Sequence, residues 1–155
     1  MASIRRARES DAEGILDCLR SAFEPYRARY TAGGFDDTVL APGTVRRRFD
    51  VMSVFVATDE SGQVIGTIGA AVIAVAEGHI RGMAVAPAWQ GRGVAKQLLE
   101  AAESELAAKG CSRISLDTTE PLKRAIAFYE KNGFRASGKI TDFFGMRLYE
   151  YAKTL

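Results

Sequence analysis

Cysteine is nearly absent from this chain. The two that occur, Cys18 and Cys111, fall in a helix-like segment and at the start of a strand, in neither metal-ligand nor redox spacing. Buried free thiols in a reducing compartment are the expectation. Long apolar runs are missing too. No stretch approaches the ~20 residues that a membrane-spanning helix needs, and the opening MASIRRARES lacks the apolar stretch of a secretory signal. A cytoplasmic location with no membrane partner is expected. One-sided charge is also lacking: 21 Lys and Arg stand against 19 Asp and Glu, a net +2, far short of the concentrated basic field that nucleic acid demands. No internal repeat or low-complexity tract occurs.

What is present has the composition of one globular domain. The 155 residues are 47% apolar and 26% charged, and a chain of this size buries enough surface to fold without staples. Residues 3–8 read as a first strand, and Ser10-Asp-Ala-Glu13 reads as a capping box opening a helix that Pro25 ends or bends. Residues 26–42 form a partly helical excursion without clear period, followed by a short helix near 44–49. Val51–Thr58 and Gln63–Val75 make a hairpin, and His79–Val85 adds a third strand. A helix over 93–109 ends at Gly110, a strand follows over 112–118, and Pro121 suits the first turn of a helix closed by Asn132-Gly133. Strands from Phe134 and over 142–153 finish the chain, with Gly145 as a candidate bulge. The order is β-α-α-β-β-β-α-β-α-β-β. Its central strand-helix-strand must cross over, so the predicted class is α/β, a single domain over 1–155 with a mixed, mostly antiparallel sheet flanked by helices.

The most informative stretch is Met83-Ala-Val-Ala-Pro-Ala-Trp-Gln-Gly-Arg-Gly-Val-Ala95, which joins a strand to a helix through Gly91 and Gly93. Small residues let backbone amides approach a ligand, and the helix start adds unpaired N–H groups and partial positive charge, so phosphate suits it. Arg92 adds a full charge. Glycine also serves tight turns that bind nothing. The dinucleotide fingerprint fails, because Lys96 stands where a third glycine is needed, and no Gly-Lys-Ser/Thr ending of a P-loop occurs.

Gln90-Gly-Arg-Gly-Val-Ala95 nevertheless resembles the Gln/Arg-x-x-Gly-x-Gly/Ala signature of the GCN5-related N-acetyltransferase (GNAT) superfamily at every specified position. The lead-in Met83 to Pro87 and the later Phe128-Tyr-Glu-Lys-Asn-Gly-Phe134 resemble that family's other landmarks, in the right order and spacing. The resemblance implies acetyl-CoA between two splayed strands, with its pyrophosphate on the amides of Gln90, Gly91, Arg92, Gly93, Val94 and Ala95. Its pantetheine arm would pair with backbone at Met83 and Val85, and the Met83, Ala84 and Val85 amides could face the reacting carbonyl. The reading uses no metal and no covalent acyl-enzyme.

Acetyl transfer to an amine needs a base, because an ordinary lysine amine has pKa about 10.4 and is protonated at neutral pH. It also needs a proton for the departing thiolate. Tyr129 matches the position of the family's thiolate-protonating tyrosine; otherwise it is a core aromatic on the stripe with Leu122 and Ile126. Several relatives keep a glutamate base where this chain has His79. Strand alternation puts His79, Arg81, Met83 and Val85 on one face, and Glu77 or a water chain could replace the imidazole. Leu122 stands where many relatives carry an asparagine that touches the pantetheine arm, so one contact is expected to be missing.

In the family the acceptor commonly enters over the segment after the first helix. Here Glu24, Asp36 and Asp37 could attract a cationic amine, and Tyr26 and Tyr30 could wall the site. Arg46-Arg-Arg48 reads as a solvated helix face. The expected activity is N-acetyl transfer to an unidentified amine by a monomer or homodimer. The alternatives are a non-catalytic acyl-CoA-binding module and transfer to a hydroxyl.

Overall fold

Alternating β-branched and apolar runs become seven strands of one sheet in the computed structural model, which describes residues 1–155. The strands are β1 (Ser3–Arg6), β2 (Ser53–Thr58), β3 (Val64–Ala74), β4 (Glu77–Val85), β5 (Arg113–Thr119), β6 (Arg135–Phe143) and β7 (Met146–Thr154). Their spatial order is β1-β2-β3-β4-β5-β7-β6. Every pairing is antiparallel except that of β4 with β5. That parallel pair needs a crossover, and it is made by a 15-residue helix. The mixed α/β sheet predicted from the letters is therefore observed.

Five helices cover the sheet: α1 (Ala12–Phe23), α2 (Ala32–Val39), α3 (Pro42–Val51), α4 (Val94–Ala108) and α5 (Lys123–Lys131). On one face α1 and α3 bury Ile15, Leu16, Leu19 and Val45 against Val54, Val56, Val64 and Ala84. On the other, α4 buries Val94, Leu98, Leu99, Ala102 and Leu106 against Ile65, Ile68, Ile80, Ile114 and Leu116, together with Tyr129 and Phe134. Leu98 has no exposed surface. Leu98→Ala is therefore expected to lower unfolding free energy by about 2–5 kcal/mol through lost burial and the cavity left behind. Urea unfolding should show the lower midpoint with an unchanged slope.

Several local expectations are corrected. A helical turn over Glu9–Asp11 precedes α1, so the Ser10–Glu13 capping box does not form. Asp11 takes that role: its carboxylate accepts from the Arg8 amide at 2.7 Å and pairs with both Arg5 guanidinium nitrogens at 2.8 and 2.9 Å. The aperiodic excursion contains a complete helix, α2, capped by Thr31 Oγ1 accepting from the Gly34 amide. Pro121 lies ahead of α5, whose N-cap is Leu122. Gly145 sits beside Phe144 in the β6–β7 turn, both at positive φ, because a two-residue hairpin turn needs that conformation. The register between these strands shifts instead between Ala136 and Ile140.

Candidate active site

The site is built where two neighbouring strands part. Pairing between β4 and β5 runs from Glu77↔Arg113 to Ile80↔Leu116 and stops. Beyond it, β4 stays with β3 as far as Val85↔Gly66, and β5 stays with β7 as far as Thr119↔Leu148. The ends of β4 and β5 thus diverge and leave a cleft inside the sheet. A bulge marks the divergence. Gly69 faces Arg81 while Thr67 faces Ala84, so Gly82 and Met83 together oppose Ile68. Gly82 has φ +63°, which glycine adopts without penalty, and a bulge bends its strand and raises the local twist.

The bulge also breaks the alternation expected for β4. Ile80, Met83 and Val85 face the α4 side, whereas Ala84 belongs to the core under α1. His79 and Arg81 consequently do not share a face with Met83 and Val85, because the extra residue inverts the parity. The ladder bond from the Ala86 amide to the Ile65 carbonyl turns the polar groups of Met83 and Val85 away from β3, toward the cleft. The Val85 carbonyl accepts from Gln90 Nε2 at 3.0 Å, and Gln90 Oε1 accepts from Arg124 at 3.4 Å. Gln90 therefore braces the loop with its side chain.

Past the cleft, Gly91 and Gly93 both take positive φ, and each looks onto open space. No side chain caps α4, and its first helical bond runs from the Gln97 amide to the Gly93 carbonyl. The amides of Val94, Ala95 and Lys96 are left without helical partners. This is an uncapped, electropositive helix start with Lys96 and Arg124 on the rim of the same cavity, suited to a phosphate group.

A cavity of about 690 Å³ connects the helix start to the cleft and to the α1–α3 layer. Met83, Ala84, Val85, Gln90, Gly91, Gly93 and Ala95 line it, as do His79, Tyr129, Tyr26 and Tyr30. Five expected residues do not, among them Asp36, which is exposed, and Glu77, which pairs with Arg113 at 3.5 Å. Arg92 is exposed and stacks over Trp89 at 4.9 Å, and the Val94 side chain lies in the core at 2% exposure, so Val94 offers a ligand only its backbone. Glu24 is exposed and pairs with Arg27 at 2.9 Å, because the helical turn over Glu24–Arg29 points it to solvent. Sequence reasoning missed Arg48, Lys96, Thr118 and Arg124, all of which line the cavity. Val45, Arg48 and Phe49 share helical spacing on α3, a signal that Arg48 faces inward.

Tyr129 stands on α5 with its ring edge-on to Phe128 and Phe134, 8% exposed. Its hydroxyl reaches only the Met83 sulfur, at 4.0 Å. Burial, aided by the nearby Tyr30, pushes this phenol up to about 12. It is a neutral O–H donor at working pH, both a core aromatic and a cavity group. His79 contacts Ser115 Oγ through Nδ1 at 2.8 Å and lies 3.5 Å from Asp117 through Nε2. Burial holds the imidazole below its ordinary value, with Asp117 opposing and Arg81 reinforcing that shift. Tyr30 bonds Thr119 Oγ1 at 2.6 Å, tying the connector after α1 to the end of β5. Thr118 Oγ1 is buried with no hydrogen-bond partner, an orphan that a polar ligand in the cleft would satisfy. Cys18 and Cys111 are buried and do not line the cavity; burial pushes the Cys18 thiol up to about 12.

A splayed strand pair leading to an uncapped glycine-led helix start defines the acyl-CoA-dependent acyltransferase type of fold. The chain belongs to the acetyltransferase (GNAT) family, whose model matches residues 15–134. Solved structures agree over its full length. A PaiA N-acetyltransferase from Thermoplasma acidophilum in complex with coenzyme A is 20% identical, with TM-score 0.83 over 100% of this chain and 99% of that one. A GNAT-family acetyltransferase from Staphylococcus aureus is 18% identical, with TM-score 0.82 over 100% and 99%. The ribosomal-protein-S18-alanine N-acetyltransferase from Escherichia coli is 20% identical, with TM-score 0.79 over 99% and 94%. No helix of the chain is long and apolar enough to cross a membrane.

Proposed function

We propose that this chain is an N-acetyltransferase that binds acetyl-CoA in the cleft between β4 and β5 and passes the acetyl group directly to an amine. One observation carries the reading: the parted strands, the uncapped start of α4 and the Tyr129 hydroxyl open on the same cavity. The coenzyme A complex of the Thermoplasma acidophilum protein supports it. Bound acetyl-CoA supplies the activated thioester. The amides of Gly91 to Lys96 hold its pyrophosphate, and the outward-turned groups of Met83 and Val85, with Thr118 Oγ1, hold the amide-bearing arm. Leu122 lines the cavity and gives that arm an apolar contact only.

Within this reading His79 removes the amine proton. With Nδ1–H donating to Ser115 Oγ, Nε2 is the acceptor, and proton uptake turns its 3.5 Å approach to Asp117 into an ion pair. Tyr129 donates its hydroxyl proton to the leaving sulfur. Amides at the β4 bulge face the carbonyl oxygen as it gains charge. Direct transfer fits the positions of the cysteines, because neither thiol reaches the cavity.

Thiol release from acetyl-CoA, followed across a panel of amines, tests the proposal. Amine-dependent release is expected. Saturable acetyl-CoA binding with no release for any amine would instead assign a non-catalytic acyl-CoA-binding module. A pH prediction follows from His79. Its pKa lies below the usual 6.5, so the base is present at neutral pH and is lost as pH falls through that depressed value. The acidic limb of kcat/KM should therefore lie below pH 6.5, and His79→Ala should remove it together with about 10²-fold or more of the rate. An unaltered acidic limb in that variant would exclude His79 as the base.

A further inference from the structure

Arg48 is the one arginine of the α3 triplet that turns inward, Arg46 and Arg47 being exposed. Its stem runs between α1, α3 and the sheet, beside Ile15, Val45, Phe49 and Val54. Its head emerges in the large cavity directly over the β4 bulge: a Cβ built on Gly82 would run into the guanidinium. The bulge glycine therefore makes room for the arginine as well as bending the strand. Gly82 lies between His79 and Met83, and Met83 contacts the Tyr129 hydroxyl, so the guanidinium stands beside the reacting end of the cleft.

The guanidinium has no partner. Arg5 is paired to Asp11, Arg6 to Glu105 and Arg113 to Glu150, whereas Arg48 makes no hydrogen bond and no ion pair. Its surroundings lower its pKa to about 10, burial and Arg81 pulling down and Asp37 opposing; it stays charged at neutral pH. Leaving a half-buried charge without a protein partner is unfavourable, and an anion brought in by a ligand relieves it. Arg48 and Arg81 share the acceptor-side wall with Asp37, Asp117 and a neutral His79, so the charges of this wall balance, with the Arg48 guanidinium left unpaired. The phosphate-binding amides lie elsewhere, beyond Val85 at the start of α4.

We propose that the amine acceptor carries a carboxylate, held by the Arg48 guanidinium over Gly82 within a few atoms of the reacting nitrogen, as in an amino acid. This rests on the N-acetyltransferase reading above. The planar fork of arginine matches a carboxylate with two parallel hydrogen bonds, and Arg81 adds attraction. An acceptor without a carboxylate would leave the guanidinium unpaired.

The test pairs free amino acids with their carboxamides, and adds spermidine as a polycation, all with acetyl-CoA and a thiol-release readout. Carboxylate acceptors should exceed their carboxamides about 10- to 100-fold in kcat/KM, the range of a hydrogen-bonded charge. Arg48→Met should collapse that ratio toward one by raising KM for the carboxylates, and Arg48→Lys should keep part of it. Calorimetric affinity for acetyl-CoA should stay unchanged in both variants, which also reports that they fold. Titration of amino acid and carboxamide into protein saturated with coenzyme A reads the same preference without turnover. Carboxylate-selective, Arg48-dependent binding without turnover would uphold this inference and sink the acetyltransferase reading. Acetylation of carboxamides or spermidine as efficient as that of amino acids, equal binding of both, binding of neither, or weakened acetyl-CoA binding in Arg48→Met would overturn it.

Discussion

Gly93→Glu is expected to weaken acetyl-CoA binding at least 100-fold in calorimetric titration while the protein stays folded. Gly93 holds φ +82°, and a Cβ placed on it meets nothing within 4 Å. The new side chain therefore enters the open space above the unpaired amides of Val94, Ala95 and Lys96, where its carboxylate takes the bonds meant for phosphate. Each hydrogen bond to a charged group contributes about 1.5–3 kcal/mol, so loss of two exceeds a hundredfold in affinity. The positive φ adds about 1–2 kcal/mol of strain for any residue with a Cβ. Gly93→Ala carries that strain without the obstruction. It should melt at a temperature similar to that of Gly93→Glu yet retain most of the acetyl-CoA affinity. Native-like binding by the glutamate variant would remove the phosphate from this helix start and with it the proposed cleft.

Tyr129→Phe is expected to lower kcat by about 10²- to 10⁴-fold, the range of a positioned general acid, with little change in acetyl-CoA affinity. The variant is clean for a structural reason. The hydroxyl's only contact is the 4.0 Å approach to Met83 sulfur, so its removal strands no strong partner, and phenylalanine keeps the edge-on packing with Phe128 and Phe134. Thermal stability should remain near that of the parent, and the loss in kcat then reads chemistry rather than folding. Unchanged turnover would leave Tyr129 as a core aromatic and assign protonation of the thiolate to water.

Much of the lining of the candidate cavity was legible in the letters. The glycine loop from Gln90 to Ala95 stands out because its positive-φ turns admit few residue types, and Tyr129 stands inside a motif of fixed spacing. Arg48 was not legible as a cavity group. Three arginines in a row look like a solvated face; the spacing of Val45, Arg48 and Phe49 marks the third as inward, but only the packing of α3 on the sheet brings its head over Gly82. Glu24 was misplaced for the converse reason: its acidity suited a cationic amine, but the turn in which it sits aims it outward.

The sequence by itself determined the order of the elements, the class of sheet and the chemistry of the helix start, because these follow from periodicity and from residue types that few backbones accept. Only the tertiary structure decided which faces meet. One extra residue at Gly82 inverts the parity of β4, separates His79 and Arg81 from Met83 and Val85, and coincides with the parting of β4 from β5. Gly82 permits that bulge without requiring it. The neighbouring strands and the arginine stacked above the glycine supply the packing that fixes it, and such contacts between residues distant in the chain are absent from any local pattern of letters.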